Sequence, residues 1–185
     1  MPNGEHAVRR GGELVVSIVG GRTLLQMNSW EPSAEFRGPL SWKRQTLPAI
    51  VGGVSQGNVR ALCISPQEWL LVLASPNAGQ LLNGNPSDST ACQFGCVDVT
   101  SGIRVLRIEG PAARQVLRRG CGLDFDSQFL TDDRCARTRF ANIPVLIDFV
   151  RLHNSFELYV PRSYSVYFES WLMGTGYAAW APRLV

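Results

Sequence analysis

One stretch, DVTSGIRVLRIEGPAARQVLRRGCGLD at positions 98–124, limits the possible fold more than any other part of the sequence. Two short segments are rich in β-branched side chains, which favour strands: residues 96–99, which overlap the start of the stretch, and residues 103–108. Residues 100–102 between them have the composition of a turn, in which Gly102 can take the left-handed conformation without steric cost. We therefore predict two strands joined by this turn.

A helix is predicted to follow the second strand, because Gly110-Pro111 ends that strand and proline is favoured at the first helical position. Small and apolar residues then recur at helical spacing, which predicts an apolar face made of Ala113, Val116, Leu117 and Gly120. Gly120 or Gly122 is the predicted C-cap of this helix.

A second unit of strands and helix is predicted over residues 143–173. Strands at 143–150 and 156–160 are separated by a turn at 154–155, and alternation on the second strand places Glu157 and Tyr159 opposite Phe156, Leu158 and Val160. A helix capped by Ser163 and ended by Gly174 follows, with a predicted core face of Tyr164, Tyr167, Phe168, Trp171 and Leu172. Strand pairs followed by single helices predict an α+β fold, with a mostly antiparallel sheet and helices on one face.

The first half of the chain predicts strands at 14–19, 59–64 and 69–74, with a proline-containing turn at 65–68 between the last two. Residues 50–56 contain Gly52-Gly53 and are expected to form an edge strand or a bulge. Residues 23–30 are apolar but too short to assign. Long connectors are expected at 31–48, with Trp42 packed against the body, and at 75–90.

The composition is that of a globular chain, since 45% of its 185 residues are hydrophobic, 18% are charged and the formal net charge is only +3. We predict a flexible N-terminal tail over residues 1–12, a domain over 13–174 and a C-terminal tail over 175–185. Within the domain, α+β sub-units are expected at 50–90 and 95–174.

The cationic residues are almost all arginine, because Lys43 is the single lysine. A GC-rich genome would produce this bias, and so would selection of arginine for interfaces and anion binding. The five cysteines contain no C-x-x-C pair and are expected to be buried free thiols of a reducing compartment. Residues 13–21 make a poor signal-peptide core and are too short to span a bilayer, so we predict a cytoplasmic protein with no membrane contact.

The sequence offers no convincing catalytic residue or cofactor motif. His6 lies in the predicted tail and His153 beside a turn, so neither is expected to be held in place as a catalytic base. No G-x-G-x-x-G after a strand, G-x-x-x-x-G-K or G-x-S-x-G motif occurs. We therefore expect this chain to bind no flavin, nicotinamide or metal of its own.

Four segments carry a family resemblance. Residues 98–124, together with CARTRFANIPVLI at 135–147, FELYVPRSYSVYFESWL at 156–172 and ISPQEWLLVL at 64–73, resemble the gamma subunit of heterotetrameric sarcosine oxidase. The resemblance covers residues 50–173, and the first fifty residues match only loosely. Wider relatives are the aminomethyltransferases of the glycine cleavage system and other folate-binding proteins of the same α+β fold.

The resemblance implies a non-catalytic accessory subunit that braces the large subunits of a flavoenzyme. That enzyme would oxidatively demethylate sarcosine or a related N-methyl amine, with FAD, FMN, NAD and tetrahydrofolate held by partner alpha, beta and delta subunits. The implied fold of the chain is the folate-binding, aminomethyltransferase-like one. The alternative is a stand-alone folate-binding or aminomethyltransferase-like protein.

Glu157 is the carboxylate of most interest, because in the folate-dependent relatives an acid at the matching place contacts the pterin ring, and a carboxylate can pair with a pterin edge in bidentate fashion. The alternative interpretation is a solvent-facing strand position, since Glu157 alternates with apolar neighbours. Both interpretations remain open from the sequence.

Residues 104–119 form the most basic local stretch of the chain, and we interpret them as a surface for an acidic face of a partner subunit. A solvated helix face and a nucleic-acid footprint are the alternatives, and the small net charge argues against the latter. Trp180 in the C-terminal tail is a further candidate anchor on another chain. The partner-interface candidates are thus Arg104, Arg107, Arg114, Arg118 and Trp180, with Arg119 beside them.

Overall fold

Two antiparallel sheets organise the residues that the computed structural model describes, which are 6–11, 14–30, 41–42, 45–57, 59–74, 94–125, 134–151 and 154–176. The chain divides into two compact units. The first unit contains residues 1–20 and 101–185, and the second unit contains residues 21–100. The predicted division into a 13–174 domain with sub-units at 50–90 and 95–174 stays a prediction.

The strands, in chain order, are β1 His6–Gly11, β2 Leu14–Val19, β3 Thr23–Ser29, β4 Ser41–Trp42, β5 Gln45–Thr46, β6 Val54–Gln56, β7 Arg60–Ser65, β8 Glu68–Leu73, β9 Phe94–Asp98, β10 Ile103–Glu109, β11 Cys135–Phe140, β12 Ile143–Val150 and β13 Ser155–Pro161. The α-helices are α1 Ala113–Gly120 and α2 Ser165–Trp171. Short 3₁₀ turns cover Thr100–Gly102 and Arg162–Tyr164, and a π-helical turn covers Leu172–Gly176.

The first unit is a six-stranded antiparallel sheet with strand order β1-β2-β10-β13-β12-β11. One face of this sheet carries an apolar core that both α-helices cover, which confirms the predicted mostly antiparallel sheet with helices on one face. The core joins strand residues to helical ones, among them Leu106, Ile108, Phe156, Leu158, Val116, Leu117, Phe168 and Leu172. Residues 6–11 of the predicted flexible tail instead pair with β2 as an edge strand.

Helix α1 buries the apolar face that its spacing predicts, with Ala113, Val116 and Leu117 in the core. Its start was predicted two residues too early, because Gly110, at φ 106°, makes a turn in which its carbonyl accepts the Ala113 N–H at 3.0 Å. The predicted glycine C-cap is also wrong. The cap residue is Cys121 in an extended conformation, and Gly120 is the last helical residue.

Gly120 is required for packing, because a Cβ at this position would overlap the ring of Phe140. That ring is fully buried and contacts Phe168 and Trp171, at ring-centroid distances of 5.0 and 4.9 Å. A glycine therefore lets the last turn of α1 approach the end of β11 closely.

Helix α2 differs from its prediction at both ends and on its surface. Ser163 does not cap it, since a 3₁₀ turn precedes the helix and the Ser165 hydroxyl donates to the Arg162 carbonyl at 2.9 Å. Gly174 does not end it, because the π-helical turn continues through Gly176. The expected core positions are right for Phe168, Trp171 and Leu172 and wrong for two tyrosines, which are exposed: Tyr164 and Tyr167.

The predicted pairing of the strands around residues 100–102 is also wrong. Strand β9 pairs with β3 in the second unit, whereas β10 lies between β2 and β13 in the first. Gly102 is not in the left-handed region, because the connection is a 3₁₀ turn. The turn is held to β3 by Thr100, whose Oγ1 accepts the Leu24 N–H at 2.9 Å.

The second unit is a five-stranded antiparallel sheet with strand order β6-β7-β8-β3-β9. Its core lies on one face and includes Leu25, Met27, Trp69 and Leu71, and Leu47 packs onto it. The apolar residues 23–30, which the sequence left unassigned, supply the central strand β3. The predicted β7–β8 hairpin is confirmed, with Pro66-Gln67 at its tip and Gln67 at φ 61°, and β6 is an edge strand as expected.

The end of the predicted 31–48 connector is fixed to this sheet by two side chains. The Gln45 amide donates to the Val59 carbonyl and accepts its N–H, and the Trp69 indole donates to the Pro48 carbonyl at 2.8 Å. Strands β4 and β5 form a separate two-stranded ribbon that contains Trp42. The Trp42 side chain and the loop predicted at 75–90 lie outside the described residues.

Candidate functional site

A row of polar side chains crosses the first unit's sheet, on the face opposite its apolar core. Directly paired residues of antiparallel strands point to the same face, and the pairing brings together Ser17, Arg107, Glu157, Asp148 and Cys135. We call these five residues the polar row. Each has 9% or less of its surface exposed. Charged groups with so little exposure need partners within the protein.

Glu157 lies at the centre of the polar row, and both of its carboxylate oxygens accept hydrogen bonds. Arg107 donates to Oε1 from Nη2 at 2.9 Å and from Nε at 3.3 Å, and the Tyr159 hydroxyl donates to Oε2 at 3.0 Å. Hydrogen bonds between ionised groups are stronger than neutral ones, which offsets part of the desolvation cost of burying them.

The solvent-facing interpretation of Glu157 is wrong, since only 1% of the residue is exposed. The error has a simple cause: Ser155 through Val160 are all buried in β13, so alternation separates two buried faces rather than an inner face from an outer one. Arg107, proposed as an interface residue, is instead the cation of this buried pair. A pterin could reach the carboxylate only in competition with Arg107 and Tyr159, and folate contact by Glu157 stays a prediction.

Two further carboxylates and one hydroxyl adjoin the ion pair. Asp148 is fully buried directly opposite Glu157, and Glu109 Oε1 lies 4.0 Å from Arg107 Nε with a partly exposed side chain. The Ser155 hydroxyl, fully buried on the same face, has no hydrogen-bond partner in the described part of the chain. The arrangement suits an internal ion pair that fixes neighbouring strands. Sequence reasoning placed Tyr159 on the same face of its strand as Glu157 but gave it no role, and it missed Asp148, which the strand register brings opposite Glu157.

The other basic residues of 104–119 do not form one surface. Arg104 lies beside α2, with its Nε 3.9 Å from Glu169 Oε1. The Arg114 guanidinium lies over two aromatic rings, 5.4 Å from the centroid of Phe149 and 5.3 Å from that of Phe156. These are cation–π distances, so the Arg114 guanidinium packs against the two rings rather than extending into solvent.

Arg114 also donates from Nη1 to the Phe125 carbonyl, so it ties α1 to the segment that follows it. Arg118 and Arg119, in the last turn of α1, are exposed. Trp180 and His153 lie outside the described residues, and His6 begins β1.

The structure describes four of the five cysteines, and burial raises the pKa of two of their thiols. Cys63, Cys96, Cys121 and Cys135 are not in disulfide bonds, and Cys63 and Cys135 are buried. Burial raises the pKa of the Cys63 thiol, and the nearby charge of Glu68 raises it further. Burial also raises the pKa of Cys121. A raised pKa keeps a thiol protonated at neutral pH and lowers its reactivity.

Two kinds of site are not found in the described residues. No group of three or more His, Cys, Asp or Glu side chains there is placed to bind a metal ion. None of the described helices combines the length and apolar character needed to cross a bilayer.

Large apolar side chains are exposed in both units. In the first unit they lie on and beside α2, at Tyr164, Val166 and Tyr167. In the second unit they are Trp30, Ile50, Val51 and Val97. Sequence reasoning had assigned the two tyrosines to the core and had not considered Val166. The sequence did contain a signal for this exposed apolar surface, because residues 163–167 carry no charge, whereas an ordinary solvated helix face does.

The fold and the polar row define an α+β protein of antiparallel sheets in which the buried Arg107 and Glu157 form an ion pair. A family model described as "Sarcosine oxidase, gamma subunit family" matches residues 43–178. The chain belongs to this sarcosine oxidase gamma subunit family, which confirms the resemblance seen in the sequence.

Two curated relatives are sarcosine oxidase gamma subunits from Arthrobacter sp. and Corynebacterium sp. (strain U-96). The chain is 34% identical to the first over 109 residues and 35% identical to the second over 105 residues. Each alignment covers 55% of this chain, and they cover 50% and 49% of the relatives. The chain thus spans about half the length of the curated relatives it matches.

Among solved structures, the chain resembles one chain of the heterotetrameric sarcosine oxidase from Corynebacterium sp. U-96 in complex with pyrrole 2-carboxylate. The TM-score is 0.75 at 24% sequence identity, and the match covers 97% of this chain and 91% of that one. The two chains therefore share a fold.

Proposed function

We propose that this chain is the accessory gamma subunit of a heterotetrameric, sarcosine oxidase-like flavoenzyme. The observation that carries the proposal is the family match over residues 43–178, and the fold shared over 97% of the chain with a member of such a heterotetramer supports it. The enzyme would oxidatively demethylate sarcosine or a related N-methyl amine in the cytoplasm. Its partners would be alpha, beta and delta subunits, with no nucleic acid or membrane involved.

The role proposed for the chain is structural rather than catalytic. Its central carboxylate is occupied by Arg107 and Tyr159, and burial keeps the described thiols Cys63 and Cys121 protonated. FAD, FMN, NAD and tetrahydrofolate would be held by the partner subunits, and this chain would brace them. Its fold would be the folate-binding, aminomethyltransferase-like one, retained without the ligand.

Purification of the tagged, full-length chain from its native cells tests this proposal. We expect larger chains to co-purify in fixed proportion, with the visible absorption of bound flavin, and the isolated complex to oxidise sarcosine or another N-methyl amine. A colourless monomer would contradict the proposal.

Titration of the purified chain with a reduced folate tests the alternative of a stand-alone folate-binding protein. The accessory-subunit proposal predicts no saturable binding at micromolar folate. Saturable binding that Glu157→Gln abolishes, in a chain without partners, would favour the alternative.

A further inference from the structure

Helix α2 presents an outward face that is apolar and uncharged. Phe168 and Leu172 point into the core, whereas Val166 is 76% exposed, Tyr167 is 56% exposed and Tyr164, in the 3₁₀ turn before the helix, is 48% exposed. From this face we propose that α2 docks onto an apolar surface of a partner subunit that is rimmed by Asp and Glu side chains. The inference rests on the proposed function and names the surface by which the chain joins the complex.

The first step is the composition of this face, which comprises Ser163, Tyr164, Val166, Tyr167 and Ser170. An exposed helix face normally carries charged residues, but none of these five is charged. The one charged residue of α2 is Glu169, whose carboxylate lies 3.9 Å from Arg104 Nε. Tyrosine is enriched at the centres of protein interfaces, where it buries much area at little entropic cost.

The second step is the charge around the face. Arg162, in the turn that leads into α2, is exposed, and so are Arg118 and Arg119 in the last turn of α1. That last turn lies against one side of Phe140, and α2 packs against the same ring through Phe168. The turn that carries Arg118 and Arg119 is therefore a neighbour of α2, and Arg162 lies three residues before α2 in the chain.

Among the described residues of the first unit, exposed arginines outnumber exposed carboxylates. Among its described residues Asp124 is the one exposed carboxylate, because the others are buried or partly buried. The exposed arginines of the same residues are Arg118, Arg119, Arg137, Arg139, Arg151 and Arg162. An apolar centre with a basic border is complementary to an apolar surface with an acidic border, which fixes the chemistry of the partner.

Two of the exposed apolar residues of the second unit, Trp30 and Val97, lie on or beside strand β9. The Trp30 indole lies directly over Gly95 of β9, so it already covers its own sheet. Val97, at 62% exposed, is the apolar residue on this strand that remains open to solvent. It supplies a matched control for a charge placed on α2.

The experiment compares variants of the tagged, full-length chain, purified from native cells with the flavin-bearing chains that accompany it. Val166→Asp and Tyr167→Asp are expected to weaken association about 30-fold each, the loss typical of a residue at an interface centre. Both positions lie in the first turn of α2, where a carboxylate suits the helix dipole, so the fold should persist. Circular dichroism and the melting temperature of each isolated variant check this.

The control and the charge test use other positions. Val97→Asp should leave association unchanged. Arg118→Glu combined with Arg162→Glu should weaken it at 0.1 M salt and much less at about 0.5 M, since screening acts on exposed charges. The readout is the amount of flavin-bearing chain recovered per tagged chain.

The outcomes separate this inference from the proposed function. If the native chain recovers flavin-bearing chains and folded Val166→Asp and Tyr167→Asp recover as much, α2 is not the docking surface and the inference alone is overturned. Equal losses for Val97→Asp would also overturn it. If the native chain recovers no flavin-bearing chains, the proposed function fails and takes the inference with it.

Discussion

Replacing Arg107 by methionine tests whether the ion pair at the centre of the polar row stabilises the fold. Methionine fills much of the same space but cannot donate to Glu157. The Glu157 side chain is 2% exposed and receives two hydrogen bonds from Arg107. A buried charge that loses its counter-ion costs about 3–5 kcal/mol of folding free energy, and this is the loss we expect for Arg107→Met.

The opposite change, Glu157→Gln, should cost less, about 1–2 kcal/mol. The amide keeps an oxygen that can accept from Arg107, and its NH2 group can donate to the Tyr159 hydroxyl oxygen, so the loss is mainly that of charge assistance in these hydrogen bonds. The arginine left without its main carboxylate still has Glu109 Oε1 at 4.0 Å, and its own side chain is 11% exposed. Arg107→Met is expected to cost more than Glu157→Gln because an unpaired Arg107 has a second carboxylate nearby and is more exposed to water than an unpaired Glu157.

The double variant Arg107→Met with Glu157→Gln should be more stable than Arg107→Met alone, because no uncompensated Glu157 charge remains. We expect a coupling energy above about 1.5 kcal/mol, within the range for directly contacting residues. Urea unfolding followed by the fluorescence of the five tryptophans measures each free energy, with equal m values required for the comparison.

Arg104→Met is the matched control, since Arg104 lies three residues earlier in β10. Its side chain is 29% exposed and 3.9 Å from Glu169, so a loss below about 1 kcal/mol is expected. Two results would refute the reasoning. The first is additivity of the two single changes, and the second is stabilisation by Glu157→Gln, which would mark the carboxylate as a strained group kept for ligand binding.

Three further predictions concern single positions. Gly120→Ala should lower stability by about 1–3 kcal/mol in thermal unfolding, because the added methyl group overlaps the buried ring of Phe140; an unchanged melting temperature would contradict this packing. Ser155→Ala should be neutral or stabilising by up to about 1 kcal/mol, since it removes a buried hydroxyl without a partner, whereas Ser165→Ala should destabilise by about 1 kcal/mol through a lost hydrogen bond. Hydrogen bonds from Thr100 lower the pKa of Asp98, so the contribution of this carboxylate to stability is present at neutral pH and lost as pH falls below about 4. In urea unfolding, Asp98→Asn should therefore lose less stability on acidification than the native chain does.

The sequence predicted those elements whose signal is local. The spacing of Ala113, Val116 and Leu117 identified the buried face of α1, and Pro66 between two apolar runs identified the β7–β8 hairpin. Each depends on contacts between neighbours in the chain, or on a single apolar face, which a sequence pattern reports directly.

The failures arise where long-range pairing decides the outcome. A three-residue turn at 100–102 reads as a hairpin, but β10 pairs with β2, nearly ninety residues earlier, and β9 pairs with β3. Alternation in β13 could not show that both faces are buried, so a solvent-facing Glu157 was one of the two interpretations left open. Tyr164 and Tyr167 were assigned to the core because an apolar helix face normally is the buried one.

The basic stretch at 104–119 shows why a run of charges in sequence is a poor guide to a charged surface. A strand alternates its side chains between two faces and a helix distributes them around its axis, so Arg104, Arg107 and Arg114 reach three different environments within the first unit. The exposed basic border at α2 is instead assembled from Arg118 and Arg162, which are far apart in the chain. Packing around Phe140 brings their segments together, and the uncharged face of α2 lies beside them. An interface assembled in this way depends on the native packing of the first unit. Gly120→Ala, which disturbs that packing, should therefore weaken association as well as stability, whereas Val166→Asp should weaken association alone.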